Sequence, residues 1–229
     1  MKINFGIYNN IIKLMLIFDI ENNNENKNKE STTMKNNKEK FVKNNLKARE
    51  IILDSPLKVK AVKTFRGRDG EGFNCNIYWD GKRIGVADDM ANGGELHLEF
   101  WKNLPFEPLV ELRNSVPKGS WYWRKREGEG VDWNISGIIH YLVEDFLDRK
   151  ELKKMLKNVT IYDPKKNTLA SWKVPSENLF SKKYNFKEEK GINLWDYIEK
   201  YHKSYVVLNG LTMDDAMKYW NLAYFNSEV

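Results

Sequence analysis

Seven of the chain's fourteen glycines fall in one run, GRDGEGFNCNIYWDGKRIGVADDMANGG, from Gly67 to Gly94. Glycine supplies the positive-φ conformations that tight turns need. Between these glycines the residues alternate: Phe73, Cys75, Ile77 and Trp79 on one side, Asn74, Asn76 and Tyr78 on the other. That period of two is the mark of a half-buried strand. Asp80–Gly81 predicts a two-residue type I′ hairpin turn. Continued along the ladder, the turn sets Trp79 opposite Lys82, Ile77 opposite Ile84 and Cys75 opposite Val86. Leu57–Phe65 alternates ahead of this hairpin, and Glu95–Trp101 alternates after it, with Leu96, Leu98 and Phe100 inward. The expectation is a four-stranded antiparallel meander.

Helices follow. Pro105–Ser115 carries Phe106, Leu109, Val110 and Leu112. Ile135–Leu156 carries Ile135, Ile138, Leu142, Phe146, Leu152 and Leu156 at helical spacing, with Asp132 or Asn134 able to cap it. Val159–Tyr162 and Thr168–Val174 read as a second hairpin. Leu194–His202 reads as a helix capped by Asn193, Ser204–Leu208 as a strand, and Leu211–Tyr219 as a helix capped by Thr212. The fold class is α+β: an antiparallel four-stranded meander, then helices and additional short strands.

The stretch ENNNENKNKESTTMKNNKEKFVKNNLK is polar, charged and of low complexity. Such a composition buries little apolar surface against its ordering entropy. Residues 1–50 are therefore expected to be a disordered Lys/Asn-rich tail, and residues 51–229 one α+β domain. Met34 offers an alternative start, which would make residues 1–33 an upstream extension. Ile3–Ile20 is interrupted by Asn9, Asn10 and Lys13 and falls short of a clean membrane span. The single cysteine, Cys75, permits no intramolecular disulfide and fits a reducing compartment, so a cytoplasmic protein without membrane contact is expected.

The formal net charge is +6, but ten basic and six acidic residues lie in 1–50, leaving 28 and 26 for the rest. The domain is thus nearly neutral, and its basic residues are mostly lysine rather than the arginine favoured for bidentate phosphate contacts. Global charge does not mark a nucleic-acid binder.

Two places can carry chemistry. In a meander the first and third connections, Arg66–Gly72 and Asp88–Gly94, lie at one end of the sheet, about 10 Å apart. Arg66, Arg68, Asp69, Glu71, Asp88, Asp89 and Asn92 can converge there. Three readings stand: ordinary turn chemistry, a partner-binding edge, or an oxygen-ligand cation site on Asp69, Glu71, Asp88 and Asp89, against which the arginines argue. The second place is Trp121–Arg126, WYWRKR. Its Trp121 and Trp123 can stack on bases while Arg124, Lys125 and Arg126 contact phosphates, or the tryptophans can anchor a loop to the core. The histidines, His97, His140 and His202, are far apart, and neither a metalloprotease helix motif nor a nucleophile elbow is present. No catalytic residues, cofactor or metal ligands are assigned, and the balance leans against an enzyme.

The run FRGRDGEGFN…DGKRIGVADDMANGG resembles a pattern in uncharacterised short proteins of bacteria, bacteriophages and other mobile elements. Shared with that pattern are an aromatic-x-G-x-D-G-x-G-F/Y-N opening, a D-G hairpin and a D-D/N-x-x-N-G-G close. A long helix followed by a strand like Lys157–Ile161, and an ending like Leu208–Asn209…Asp215–Ala216, extend the likeness over about residues 57–220. The resemblance implies provenance rather than mechanism. The expected function is a non-enzymatic macromolecule-binding protein of a phage or mobile element, in particular an anti-CRISPR-like inhibitor of a host defence nuclease. Its partner would be a host or foreign protein or ribonucleoprotein. The alternatives are direct nucleic-acid binding through the aromatic-basic loop and, third, a carboxylate-metal hydrolase.

Overall fold

The computed structural model describes residues 30–101, 106–121, 123–124 and 129–228, with side chains for 36–101, 106–121 and 130–223. Helix α1 (Glu30–Asp54) leads into a sheet of β1 (Leu57–Arg66), β2 (Glu71–Trp79), β3 (Lys82–Asp89) and β4 (His97–Phe100). The strands lie in the order β1-β2-β3-β4, all antiparallel, as the alternation predicts. Then come α2 (Glu107–Ser115), the two-residue strands β5 (Trp123–Arg124) and β6 (Glu129–Gly130), and the long helix α3 (Ile135–Met155). The C-terminal part holds β7 (Asn158–Asp163), β8 (Thr168–Pro175), a 3-10 turn at Ser176–Asn178, β9 (Lys183–Asn185), β10 (Lys190–Asn193), α4 (Leu194–Tyr201), β11 (Val206–Val207) and α5 (Met213–Glu228).

The caps explain where these helices begin. Asn134 Oδ1 accepts from the Gly137 N–H at 2.6 Å, and Asn193 Oδ1 from the Asp196 N–H at 2.8 Å. Thr212 Oγ1 accepts from the Asp215 N–H at 3.2 Å. Each satisfies one of the donors a helix start leaves open. Asp132, the other residue considered for α3, instead accepts from the Gly119 N–H and holds the preceding loop.

Helix α1 runs through the second half of the expected tail. Phe41, Asn45, Ala48 and Ile52 are buried, on one helical face at spacings of four, three and four. The domain boundary expected near Ile51 therefore falls inside a packed helix. Asn45 Nδ2 donates to the carbonyls of Ser120 and Trp121, at 2.6 and 3.1 Å, and ties α1 to the loop after α2. Four well-spaced residues are enough to bury one stripe, even where polar composition dominates the rest.

The register of the central hairpin also departs from expectation. Trp79 does face Lys82, but a bulge at Ile84 places Gly85 opposite Ile77 and Ala87 opposite Cys75. One inserted residue turns every later side chain of β3 to the other face. Ala87 is buried and Val86 faces outward; Asp89 lies on the inner side and Asp88 on the outer. Gly85 is required at the bulge because a Cβ there would sit 2.3 Å from the Glu99 carbonyl oxygen.

The principal core lies between the inner face of this sheet (Val59, Phe73, Cys75, Ile77, Ala87) and the three helices α1, α2 and α3. Helix α3 then extends into a second cluster, where Leu152 meets Tyr162, Leu208, Met217 and Trp220. Val159 and Ile161 on the opposite face of β7 pack with Leu179, Leu194 and Ile198 in a third. Strand β7 is covered on both faces, so Val159 through Asp163 are all buried. Asn209 joins α3 to β7: its Oδ1 accepts from the Thr160 N–H at 2.7 Å, and its Nδ2 donates to the Leu156 and Asn158 carbonyls.

Candidate functional site: two docked loops at one end of the sheet

The β1–β2 and β3–β4 connections touch. The Asp69 N–H donates to the Ala91 carbonyl at 2.8 Å. A Cβ on Gly67 would stand 2.6 Å from Ala91 Cβ and 2.7 Å from the Met90 carbonyl oxygen. One on Gly72 would stand 2.3 Å from the Asp89 carbonyl oxygen. These two positions are glycine because main chains meet there. The β3–β4 loop is further held by its own side chains: Asp89 Oδ1 accepts from the Ala91 N–H at 2.9 Å, and Asn92 Oδ1 from the Gly94 N–H at 3.1 Å. Such Asx turns fix a loop without secondary structure.

The charged residues are distributed unequally over this edge. Arg68 lies alongside Asp69, Nε to Oδ1 and Nη2 to Oδ2 each at 3.2 Å, and also reaches the Asn92 carbonyl at 3.4 Å. Arg66 and Glu71 are direct cross-strand partners of opposite charge. Asp89 points inward to α3, whereas Asp88 faces out from the sheet and does not join the loop cluster. Met90, on the β3–β4 loop, has 55% of its surface exposed.

The sequence shows no partner for His140, and the structure supplies two. It lies on α3 with its ring edge-on to Phe73, centroids 5.4 Å apart. Its Nδ1 is 3.3 Å from Glu144 Oε1, and its Nε2 is 3.7 Å from Asp89 Oδ2. The hydrogen bond to Glu144 and the charges of Glu144 and Asp89 raise its pKa above the ordinary value of 6.5, against an opposing effect of burial. Residues 89 and 140 have no local relation in sequence; only the packing of α3 on the sheet brings them together.

The aromatic-basic segment is partly visible. Trp121 is half-buried against the principal core, its indole 6.2 Å from that of Trp133 and in contact with α3 at Gly137. It therefore serves as the anchor of the loop, not as an exposed stacking platform. Trp123 and Arg124 form β5 against Glu129 and Gly130. Lys125 and Arg126, and the side chains of Trp123 and Arg124, lie outside the described residues.

Cys75 is buried under the sheet, and desolvation pushes its thiol up to about 11, far from a nucleophilic thiolate. Among the described residues no group of three or more His, Cys, Asp or Glu side chains is placed to hold a metal ion. No helix of the described residues is long and apolar enough to cross a membrane. Compared with known proteins, the chain matches no family model, no curated protein and no solved structure.

Proposed function

We propose that the chain is a non-enzymatic binding protein whose docked loop pair engages a protein surface. The observation that carries this reading is the combination at the loop edge. An apolar Met90 stands at 55% exposure on a main-chain-locked loop, and the loop docked against it carries the Arg68–Asp69 ion pair. An apolar centre with a mixed polar rim is the anatomy of a protein–protein contact. A phosphate-binding surface would instead concentrate cations, and at this edge each arginine is matched by a carboxylate, Arg68 by Asp69 and Arg66 by Glu71. Rigid anchoring also lowers the entropy cost of association.

The resemblance of the Gly-rich run to proteins of phages and mobile elements supports a more specific form: inhibition of a host defence nuclease by occupying it or its ribonucleoprotein. The direct test is a titration of the purified protein into CRISPR nuclease reactions, with Met90→Asp as the comparison. Dose-dependent inhibition that Met90→Asp abolishes supports the reading. Turnover of nucleotide or nucleic acid by the purified protein itself, lost on Asp69→Ala, would overturn it.

A further inference from the structure

The outer face of the sheet carries rings and cations at the end away from the docked loops. Helices α1, α2 and α3 pack on the inner face. On the other face Tyr78 of β2 is the direct register partner of Lys58 on β1 and of Arg83 on β3. The Trp101 N–H donates to the Ile84 carbonyl at 3.0 Å, which sets Trp101 alongside β3 next to Arg83. The Arg83 guanidinium carbon stands 5.1 Å from the centre of the Trp101 ring, and Lys60 Nζ stands 4.6 Å from that of Tyr78. Cation and ring therefore alternate across the sheet in the order Lys60, Tyr78, Arg83, Trp101. Lys63, past the β1 bulge, lies on the same face opposite Asn74.

Neither ring belongs to the core. Trp101 is 45% exposed and Tyr78 half-buried, whereas Trp79 and Phe100, their neighbours in the chain, pack inward. Lys60, Lys63 and Arg83 are exposed and have no carboxylate partner among the described residues. The Lys58 ammonium is already held by the Leu53 carbonyl. Edge protection explains part of this, because lysines and a bulge on an outer strand deter pairing with another chain. It does not explain Tyr78 and Arg83, which lie on the two central strands, or an exposed tryptophan at the end of β4.

The net charge of the chain is not at issue; the placement of the charge is. Three unpaired cations and two rings share one end of the face, while its carboxylates, Asp88 and Glu99, lie on β3 and β4 nearer the docked loops. The row spans three strand spacings, about 14 Å. An unpaired base presents a π-face that stacks on an aromatic side chain whatever its sequence. Lys60 covers Tyr78 in the free protein, but a solvent-exposed cation–π contact is weaker than a base stacked on the same ring. A base on Tyr78 displaces the ammonium toward the phosphate that the same nucleotide carries. Arg83 can keep its place over Trp101 and still direct guanidinium N–H groups at a phosphate. Asn74 and Asn76 line an adjoining depression of about 300 Å³ and offer amides to a base edge.

We propose that this face binds single-stranded nucleic acid, with bases stacked on Trp101 and Tyr78 and with Arg83, Lys60 and Lys63 on the phosphates. The surface is separate from the Met90 loop edge, so the two readings fail separately.

The test is fluorescence anisotropy of a labelled mixed-sequence single strand of about 12 nucleotides, as DNA and as RNA, titrated with the full chain. The DNA duplex and inorganic polyphosphate serve as competitors. The expected result is saturable binding at about 50 mM salt, with log K falling against log salt at a slope of about −2, the value for three cations on a single strand. Arg83→Ala should weaken binding and flatten the slope. Trp101→Ala should weaken it about tenfold and leave the slope as it was. Duplex and polyphosphate offer no unpaired base and should bind about tenfold more weakly or less tightly still. Met90→Asp should leave binding unchanged. Tighter binding of RNA identifies a 2′-OH contact and RNA as the source; equal affinities identify single strands of either kind. Absence of binding to both single strands at about 50 mM salt overturns the proposal. So does polyphosphate or duplex that competes as well as the unlabelled single strand, or a Trp101→Ala protein of unchanged melting temperature and unchanged affinity. If Trp101→Ala does not fold, Tyr78→Ala replaces it, with the same outcomes.

Discussion

The main-chain N–H of Asp69 and the carbonyl of Ala91 meet at 2.8 Å, joining two loops that sit on opposite sides of the central hairpin. Everything distinctive about the loop edge depends on that approach, and the approach depends on glycine at position 67. Gly67→Ala brings a methyl group within 2.6 Å of Ala91 Cβ and 2.7 Å of a carbonyl oxygen. The expected cost is about 2 kcal/mol from overpacking, read by denaturant unfolding. The Asp69 amide should lose hydrogen-exchange protection more than the sheet does. Gly210→Ala, where an added Cβ meets nothing within 4 Å, serves as the near-neutral control.

His140 links this loop to α3 through Asp89. A histidine whose folded pKa is raised gives stabilisation that is fully present below the unfolded value of about 6.5. It is lost as pH rises through the folded pKa, which lies higher because of Glu144 and Asp89. The Ala91 amide, which donates to Asp89, should therefore exchange more slowly at about pH 6 than at about pH 8, after correction for intrinsic rates. His140→Gln should flatten that difference. An unchanged profile in the variant would show that the imidazole does not hold the loop.

Asp148 on α3 gives the same sign for a different reason. Burial pushes its carboxyl up from 3.8 to about 6, only partly offset by a hydrogen bond with Trp220. The folded state thus favours the protonated acid, and the associated stabilisation fades as pH rises from about 4 through about 6. Asp148→Asn keeps an acceptor for the indole and removes the buried charge. It should stabilise the protein by about 1 kcal/mol at neutral pH, a value reduced for partial solvent exposure. Melting curves at acid pH should show the two proteins converging.

Helix α1 belongs to the core. Phe41 is 4% exposed, and Phe41→Ala should cost about 3 kcal/mol. Asn45→Ala removes both bonds to the Ser120 and Trp121 carbonyls and should cost about 2 kcal/mol. If residues 30–50 did not pack, neither change would alter the unfolding midpoint.

The meander was legible because its signals are local. Alternation from Phe73 to Trp79 and the Asp80–Gly81 turn depend on neighbours a few residues apart, and both survive in the structure. The bulge at Ile84 was not legible, because nothing in the residues themselves says which one is skipped. Its consequence is large: it exchanges the faces of Val86 and Ala87, and of Asp88 and Asp89. The α1 stripe of Phe41, Asn45, Ala48 and Ile52 was present in the sequence but diluted by lysine, asparagine and glutamate, so composition masked periodicity. The short hairpin of β9 and β10 is held by tertiary neighbours, and Tyr184 and Ile192 there pack against the third core cluster.

For the loop edge, the order of strands and turns in the chain alone determined that Arg66–Gly72 and Asp88–Gly94 share one end of the sheet, since antiparallel connectivity leaves no other arrangement. Only the tertiary structure decided that they dock, that Met90 stays exposed beside the contact, that Asp89 turns inward to His140 and that Asp88 turns outward. Those outcomes depend on main-chain contacts within 3 Å, on one bulged residue, and on a helix packed across the sheet from fifty residues away.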